Sequence, residues 1–438
     1  MPRPIRFRRR VSATVTRRDA LKGAALLGAG VWLGTSAQAA EGPNDKLNVA
    51  VVGLGGQGRS NLNGTSSQNI VALCDVDDVR AGDAYTRFPG AKKFTDFRVM
   101  CDEMEKQIDA VVVSTPDHTH FHPSYWALER GKHLYCEKPL AHNVWEVRTL
   151  TELAREKKLA TQLGAQRHTM SGLRQSVELI MSGAIGTVYE CHAWVGGSRG
   201  MPKIPTDSPK VPSTVQWDLW RGPAIDDRGY HPDYVPYGWR FWWDYGTGET
   251  GNWGCHILDI PFWALGLTQP TKVSAEGPEV HPELTPKSMH CTFEFPAVDS
   301  RPAVKLHWYH GTPPILAERG LNGGGMNNLF LGSKGMLLCG FDKWTLLPAE
   351  KYADYKAPAP RFAKSPGFHR EWIDACRGGE AATCNFDYSG PMTETVLLGN
   401  VAYRAGGFEW DHAGLVTTGN TAAQELIREA YRPGWEIG

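Results

Sequence analysis

Two side chains in this 438-residue sequence are suited to proton and hydride chemistry at a hydroxyl group. Lys138 directly follows an apolar stretch, and His256 lies in a glycine-rich segment, residues 246–259. If that segment is helical, Asn252, His256 and Asp259 share one face at positions i, i+4 and i+7. An imidazole there would take or give a proton, and an ammonium would stabilise the oxygen that loses it. The pattern predicts acid–base chemistry beside a hydride acceptor.

A histidine-rich segment, residues 114–120, also follows a predicted core strand. It contains His118 and His120, which are borderline metal ligands together with His256. No predicted element carries an H-x-x-x-H pair with a third carboxylate, so we predict no metal site. Segment 114–120 and Lys138 instead fall at the carboxyl ends of neighbouring strands, where open α/β sheets bind their ligands.

A G-x-G-x-x-G turn precedes these segments and predicts a dinucleotide site. Gly53, Gly55 and Gly58 follow the apolar run 47–52 and precede a stretch that can be helical. The first glycine permits a tight bend, the second lets the backbone approach a pyrophosphate, and the third lets the helix pack on the strand. Asp75 ends the next apolar run, and 75 − 53 = 22 positions is close to the offset of about 20 expected of the ribose-binding acid.

The composition gives no sign of a nucleic-acid partner, a disulfide framework or a membrane-spanning segment after the first 40 residues. Lys and Arg together number 47, as do Asp and Glu, so the formal net charge is zero and nothing indicates a surface for nucleic acid. The nine cysteines lack C-x-x-C spacing and are interpreted as core thiols. After the first 40 residues, no apolar run approaches the ~18 residues of a membrane span.

The start of the chain, residues 1–40, resembles a twin-arginine export signal. Residues 3–10 are basic, an Arg-Arg pair at 17–18 precedes the apolar run 24–33, and residues 37–39 form a small-x-small cleavage site. A basic, amphipathic start of a cytosolic chain is the alternative. Because twin-arginine signals carry folded proteins, we expect a periplasmic protein that is exported folded and has no integral membrane segment after processing.

The order of the predicted elements indicates two domains. Residues 41–165 alternate strand and helix, which predicts a doubly wound Rossmann domain. Residues 166–438 contain short β-rich runs, which predict an α+β domain with a large, mostly antiparallel sheet. Between Gly196 and Gly248 the chain is dense in Pro, Trp and Tyr, as in a lid or partner-contacting loop, or in an ordered surface loop.

Taken in order, these segments resemble the Gfo/Idh/MocA family, named for glucose–fructose oxidoreductase and inositol dehydrogenase, and within it the exported bacterial branch. The resemblance covers about residues 45–432. It implies that Lys138 is the catalytic lysine, that Glu137 orients this lysine or the cofactor, and that His256 is the general acid–base. The family usually has an aspartate four residues before that histidine, where this chain has Asn252. An asparagine neither accepts a proton nor carries a negative charge.

We predict three groups of site residues from the motifs and the resemblance together. The catalytic residues are Lys138, His256 and Asn252. The cofactor-binding residues are Gly53, Gly55, Gln57, Gly58, Asp75, Thr115, Pro116, His118, His120, Glu137 and Gln166. The substrate-binding residues are Lys138, Arg167, Trp239, Tyr245, Asn252 and His256.

The resemblance implies an NAD(P)-dependent oxidoreductase that acts on a sugar or cyclitol hydroxyl by hydride transfer. Asp75 favours NAD over NADP because its charge would repel a ribose 2′-phosphate, and Arg80 nearby leaves NADP open. We expect the nucleotide to be tightly bound. Two alternatives stay open: an NAD-dependent glycosidase that uses transient oxidation and elimination, and a non-catalytic sugar-binding relative. By analogy, the large sheet is open-faced and pairs subunits in a dimer or tetramer, and the last helix packs back toward the first domain. The expected partners are a small carbohydrate-like substrate and further copies of the chain.

Overall fold

The computed structural model describes residues 46–197 and 199–437 of the chain. The predicted export signal therefore lies outside the described residues. Two sheets organise the described part, and a long helix packs against both the first domain and the second sheet. No helix within these ranges combines the length and the apolar character that crossing a membrane requires.

Parallel strands form the first sheet. They are β1 (Asn48–Val52), β2 (Asn69–Cys74), β3 (Lys92–Phe94), β4 (Ala110–Val113), β5 (His133–Glu137) and β6 (Thr161–Gly164). The helices between them are α1 (Gln57–Thr65), α2 (Asp78–Arg87), α3 (Phe97–Met104), α4 (Phe121–Glu129) and α5 (Val144–Glu156). The strand order is β3-β2-β1-β4-β5-β6, which is that of a doubly wound dinucleotide-binding sheet. The predicted Rossmann architecture is confirmed.

The sequence of the central elements explains their positions. All four residues of β4, Ala-Val-Val-Val, are buried, as expected of a strand covered by helices on both faces. Helix α5 begins with a capping box. The side chain of Asn143 accepts a hydrogen bond from the backbone N–H of Glu146 (3.0 Å), whose carboxylate accepts one from the N–H of Asn143 (3.2 Å). The carboxyl ends of β1, β4 and β5 meet at one edge of the sheet.

A nine-stranded sheet dominates the rest of the chain. Its strands are β7 (Val188–Val195), β8 (Lys272–Glu276), β9 (Met289–Phe295), β10 (Val304–His310), β11 (Asn328–Gly332), β12 (Gly335–Cys339), β13 (Trp344–Leu347), β14 (Phe408–Asp411) and β15 (Val416–Thr418). Their order is β13-β12-β11-β7-β10-β9-β8-β14-β15, and every neighbouring pair is antiparallel except β7 with β10. The predicted, mostly antiparallel sheet is confirmed.

Eight helices accompany this sheet in the described residues. They are α6 (Ser171–Met181), α7 (Trp217–Arg221), α8 (Gly248–Ile257), α9 (Asp259–Leu265), α10 (Pro314–Glu318), α11 (Phe368–Cys376), α12 (Phe386–Ala405) and α13 (Thr421–Glu425). Helix α12 packs against α5 and α8 and against β8 and β9, so it ties the two sheets together. Helix α13 packs on α12 and β15. The chain after it reaches the first domain, where the Tyr431 hydroxyl donates to Glu146 (2.8 Å).

The aromatic segment between residues 196 and 248 forms a small core of its own in its described part. Its buried residues are Trp220, Ala224, Tyr234, Trp239, Trp242 and Tyr245, together with Leu284. This packing supports the interpretation as an ordered loop, and the loop forms one wall of the cleft described next.

Candidate active site

A cleft of about 420 Å³ opens at the carboxyl ends of β1, β4 and β5. The first domain forms one side, and helix α8 and the aromatic segment form the other. The predicted residues that line the cleft are Gly53, Gly55, Gln57, Asp75, Thr115, Pro116, His120, Glu137, Lys138, Gln166, Arg167, Trp239, Asn252 and His256. The predicted residues outside the lining are Gly58, His118 and Tyr245.

Close backbone contacts shape the glycine turn. Gly53 has a φ of +84°, and a Cβ on it would lie 2.6 Å from the carbonyl oxygen of Ser114. A Cβ on Gly58 would lie 2.0 Å from the carbonyl oxygen of Gly53, so α1 can approach β1 this closely only with glycine there. A bare backbone turn followed by a helix N-terminus is suited to a pyrophosphate, so these residues fit a dinucleotide.

Asp75 lies directly after β2, where a ribose-binding acid is expected. Its carboxylate accepts hydrogen bonds from the backbone N–H groups of Leu54 (2.7 Å) and Asp77 (3.0 Å). Burial raises the pKa of Asp75, and these two hydrogen bonds oppose the shift. The Arg80 guanidinium lies against Gly55, whose Cβ, if present, would be 2.5 Å from Nη2. The choice between NAD and NADP therefore depends on a carboxylate and a guanidinium at the same end of the cleft.

Lys138 and Asn252 join the two domains inside the cleft. The Lys138 ammonium donates to the backbone oxygen of Asn252 (2.7 Å) and to its side-chain Oδ1 (2.9 Å). An ammonium has three N–H groups, so one remains for a ligand. Burial lowers the pKa of Lys138, and the carboxylates of Asp117 and Glu137 oppose that shift. Because residue 252 is a neutral amide, it adds no charge that would hold the lysine protonated.

His256 lies one helical turn after Asn252 on α8. Its Nδ1 is enclosed and has no hydrogen-bond partner among the described residues, which leaves Nε2 as the nitrogen available to a ligand. Burial lowers the pKa of His256 well below 6.5, and the positive charges of Lys138 and Arg167 lower it further. The imidazole is therefore neutral near pH 7 and able to accept a proton.

The prediction that Asp259 shares this face of the helix is wrong. Helix α8 ends at Ile257, and Asp259 begins the separate helix α9. Its buried carboxylate lies 2.9 Å from His168 Nδ1 and accepts from the Tyr388 hydroxyl (2.5 Å). Asp259 therefore fastens α9 to its neighbours and does not line the cleft.

A chain of polar contacts orients the amide of Asn252. Its Nδ2 donates to Oε2 of Glu249 (3.2 Å), and the buried carboxylate of Glu249 is ion-paired with Arg199. Since Oδ1 accepts from Lys138 while Nδ2 donates to Glu249, only one orientation of the amide satisfies both contacts. A carboxylate is thus present one turn before residue 252, but it reaches the lysine only through a neutral amide. The sequence motifs did not reveal Glu249 or Arg199.

Glu137 faces the interior of the first domain. Its Oε1 accepts hydrogen bonds from Nδ2 of Asn61 (2.8 Å) and Nε2 of Gln166 (2.6 Å). Burial raises the pKa of Glu137, while these donors and the charge of Lys138 oppose the shift. The influence of Glu137 on Lys138 is therefore electrostatic, and its hydrogen bonds hold Gln166 at the floor of the cleft.

His118 and Tyr245 lie behind the cleft wall. The ring nitrogens of His118 are 3.1 Å from the carbonyl oxygen of Tyr245 and 2.9 Å from that of Trp220. Burial lowers the pKa of His118 to about 3. The Tyr245 side chain is fully buried, and its hydroxyl donates to Asp226 (2.7 Å). Both residues fasten the aromatic segment to the first domain.

His120 lines the cleft, but its ring nitrogens already have neighbours. Nδ1 lies 2.7 Å from the carbonyl oxygen of Pro139, and Nε2 lies 2.8 Å from that of Thr115. This ring therefore joins the loop after β4 to the loop after β5. It brings those two loops together at the edge where Lys138 is held.

Two arginines in the cleft stack on aromatic rings. The Arg240 guanidinium carbon lies 4.2 Å from the ring centroids of both Tyr237 and Trp239, and burial lowers its pKa. The guanidinium carbon of Arg167 lies 5.2 Å from the Trp253 ring. Neither arginine forms an ion pair with a carboxylate of the described residues. Arg240 had no sequence signal, because its place in the cleft depends on how the aromatic segment folds.

Comparison with known families agrees with this geometry. Residues 47–165 match the NAD-binding Rossmann-fold model of the Gfo/Idh/MocA oxidoreductases, and residues 165–297 match the model of the C-terminal alpha/beta domain of that family. The chain belongs to the Gfo/Idh/MocA family. The predicted family is thereby confirmed, as is its NAD-binding Rossmann domain.

Several Gfo/Idh/MocA proteins resemble parts of the chain. Inositol 2-dehydrogenase of Salmonella typhimurium is 27% identical over 166 residues, which are 36% of this chain and 49% of that protein. Levoglucosan dehydrogenase of Pseudarthrobacter phenanthrenivorans is 22% identical over 232 residues, 50% of this chain and 51% of that protein. The chain thus spans about half the length of these curated relatives.

Solved structures share the fold over most of the chain. The WlbA dehydrogenase of Bordetella pertussis, in complex with NADH and UDP-GlcNAcA, has a TM-score of 0.59 at 17% identity and covers 84% of this chain and 99% of its own. An oxidoreductase of Thermotoga maritima has a TM-score of 0.57 at 17% identity, with 85% and 100% covered. At these identities the likeness shows the fold alone.

Proposed function

We propose that this Gfo/Idh/MocA protein is an NAD-dependent oxidoreductase that oxidises a hydroxyl group of a sugar or cyclitol. The observation that carries the proposal is that Lys138 and His256 line one cleft beside the glycine turn, with Asn252 bonded to the lysine one turn before the histidine. The relatives named inositol 2-dehydrogenase and levoglucosan dehydrogenase support the substrate class.

The mechanism follows from the protonation states of the two groups. NAD, when bound, supplies the hydride acceptor. Nε2 of His256 accepts the proton of the substrate hydroxyl, because this imidazole is neutral near pH 7. Lys138 donates its remaining N–H to the same oxygen and stabilises the negative charge that develops there. Asn252 holds the lysine but takes no proton, so the proton leaves by His256.

Two arginines that form no ion pair with the described residues favour an acidic substrate. Arg167 and Arg240 are close enough to His256 and Lys138, respectively, to lower their pKa values. A planar guanidinium pairs well with a carboxylate or phosphate through two parallel hydrogen bonds. We propose that the substrate carries such an anionic group near the hydroxyl that reacts.

The test follows NADH formation with neutral sugars, inositols, the matching uronic acids and sugar phosphates. Lys138→Ala and His256→Ala should each lower turnover about 10²–10⁴-fold while the thermal unfolding curve is retained. Near-normal turnover in both variants would contradict the proposed catalytic roles of Lys138 and His256. Arg167→Ala and Arg240→Ala should raise KM for the acids alone. Equal turnover of neutral and acidic sugars would contradict the proposed anionic group on the substrate but not the proposed oxidoreductase activity.

The alternative reaction and three further expectations have separate tests. If the protein releases free sugar from an aryl glycoside without net formation of NADH, the reaction is glycoside cleavage by transient oxidation and elimination, and not dehydrogenation. Mass spectrometry of nucleotide released on denaturation tests tight NAD binding, and light scattering tests the homo-oligomer. A fusion of residues 1–40 to a reporter, with the pair at 17–18 changed to lysines, tests twin-arginine export to the periplasm, which stays a prediction.

A further inference from the structure

Three potential metal ligands lie side by side on the nine-stranded sheet. Glu190 and His192 are two residues apart on β7, so their side chains lie on the same face. His307 on the neighbouring strand β10 is in register with His192. The intervening Cys191 is buried in the main core, so the three ligands lie on the opposite, outer face. None of the three lines the cleft.

The distances from the Glu190 carboxylate to the two histidines are close to the ligand–ligand distance in tetrahedral zinc coordination. Glu190 Oε1 lies 3.1 Å from His192 Nε2 and 3.3 Å from His307 Nε2. One donor atom from each of the three residues lies within 4.8 Å of the donor atoms of the other two. Bonds of about 2.0–2.1 Å at tetrahedral angles put two ligand atoms about 3.3 Å apart. The rings of His192 and His307 stack with their centroids 4.7 Å apart and an angle of 10° between their planes, so one ring must turn about its side-chain bonds before both Nε2 atoms can bind one ion.

The other nitrogen of each histidine has a polar partner. His192 Nδ1 lies 3.1 Å from the hydroxyl oxygen of Tyr309. His307 Nδ1 lies 3.1 Å from Thr292 Oγ1 and 3.1 Å from His290 Nε2. Partners of this kind fix the ring and its tautomer in metal sites, leaving Nε2 free to bind the ion. The same arrangement at both rings is what a metal site requires.

Hydrogen bonding within the cluster leaves one nitrogen unused. His192 Nε2 is enclosed and has no hydrogen-bond partner among the described residues, although Glu190 is close. An enclosed polar atom without a partner is costly, and a metal ion would satisfy it.

We propose that Glu190, His192 and His307 bind one divalent transition-metal ion, zinc by preference, with a fourth position open to water. Two imidazoles and one carboxylate are a ligand set that Zn²⁺ accepts. The ion would cross-link β7 and β10, the one parallel pair among the described strands of this sheet. This replaces the expectation of no metal site drawn from the sequence.

The experiment uses the untagged mature protein, stripped with a chelator and dialysed. Titration with Co²⁺ should give one equivalent of visible d–d absorption of tetrahedral intensity, which Zn²⁺ then displaces. His307→Gln should abolish this band. Thr292→Val, which removes a partner of the ligand ring, should weaken binding about ten- to hundredfold. His412→Gln, at an exposed histidine, is the matched control and should bind like the native protein.

Circular dichroism and NADH binding establish that each variant is folded. If His307→Gln does not fold, the same Co²⁺ titration of Thr292→Val and Glu190→Gln tests whether these residues form the metal site. The proposal is overturned if the native protein gives no stoichiometric tetrahedral band, or if folded His307→Gln or Glu190→Gln gives the native band. These outcomes do not depend on the oxidoreductase activity, so the two proposals can fail separately.

Discussion

Asn252→Asp would place a carboxylate between a cation and an anion. In the native protein, Oδ1 of Asn252 lies 2.9 Å from the Lys138 ammonium, and Nδ2 lies 3.2 Å from a carboxylate oxygen of Glu249. With an effective dielectric constant of about 20, attraction to the ammonium amounts to about 6 kcal/mol and repulsion from Glu249 to about 5 kcal/mol. Arg199, the ion-pair partner of Glu249, is 42% exposed, so water screens its effect on the new carboxyl group; the two energies nearly cancel, and the partial burial of residue 252 raises the pKa of that group.

The sign of the pH dependence follows from that raised pKa. The folded variant retains a proton that the unfolded chain loses at about pH 4, so the variant's stability relative to the native protein falls as pH rises through the folded-state pKa. In a Glu249→Gln background the repulsion is absent, and Lys138 lowers the pKa of the new carboxyl group. The new carboxylate then adds stability that is fully present above about pH 4 and is lost only as pH falls through the lowered folded-state pKa. Each tenfold difference in proton affinity corresponds to about 1.4 kcal/mol.

Urea unfolding of four proteins measures this effect without any substrate. The native protein, Asn252→Asp, Glu249→Gln and the double variant are compared at about pH 5 and about pH 8. Between these pH values, the free energy of unfolding of Asn252→Asp should fall relative to that of the native protein. The free energy of unfolding of the double variant should not fall relative to that of Glu249→Gln. A difference that is independent of pH, or that is the same in both backgrounds, would refute the proposed role of Glu249.

Three other predictions concern the cofactor turn and the base. Gly58→Ala places a Cβ 2.0 Å from the carbonyl oxygen of Gly53 and, at the ~1–3 kcal/mol cost of overpacking, should weaken NADH binding about tenfold or more by fluorescence titration. Gly82→Ala, in open space, is the control and should bind normally. Because the pKa of His256 is well below 6.5, kcat/KM should not fall as pH decreases through 6.5, and a fall centred there would contradict the assignment. Asp75→Ala should reduce the preference for NAD in paired titrations, whereas tighter NADP binding by the native protein would contradict that role.

The alternation of strands and helices in the first domain could be predicted because its signals are local. Strand β2 (Asn69–Cys74) coincides with the apolar run that precedes Asp75. The capping box at Asn143 and Glu146 is local in the same way, since both partners lie within one turn of helix. Lys138 and His256 were placed in one cleft because strand ends and the glycine-rich helix carry them there.

What the sequence did not reveal depends on contacts between distant segments. The helix break before Asp259 separates that residue from His256, and no local signal distinguishes one long helix from two short ones. The His118 side chain contacts carbonyl oxygens of residues more than 100 positions away in the sequence, so its orientation depends on the tertiary structure. The Glu190 and His307 cluster depends on strand register, which pairs residues far apart in sequence.

A crystal structure with NADH bound tests the central claim most directly. The account predicts the pyrophosphate at the turn of Gly53 and Gly55, and the nicotinamide beside the Lys138 ammonium and Nε2 of His256. Asn252 should still accept the lysine hydrogen bond. A nicotinamide lying away from both side chains, or a glycine turn that makes no contact with the cofactor, would contradict the account.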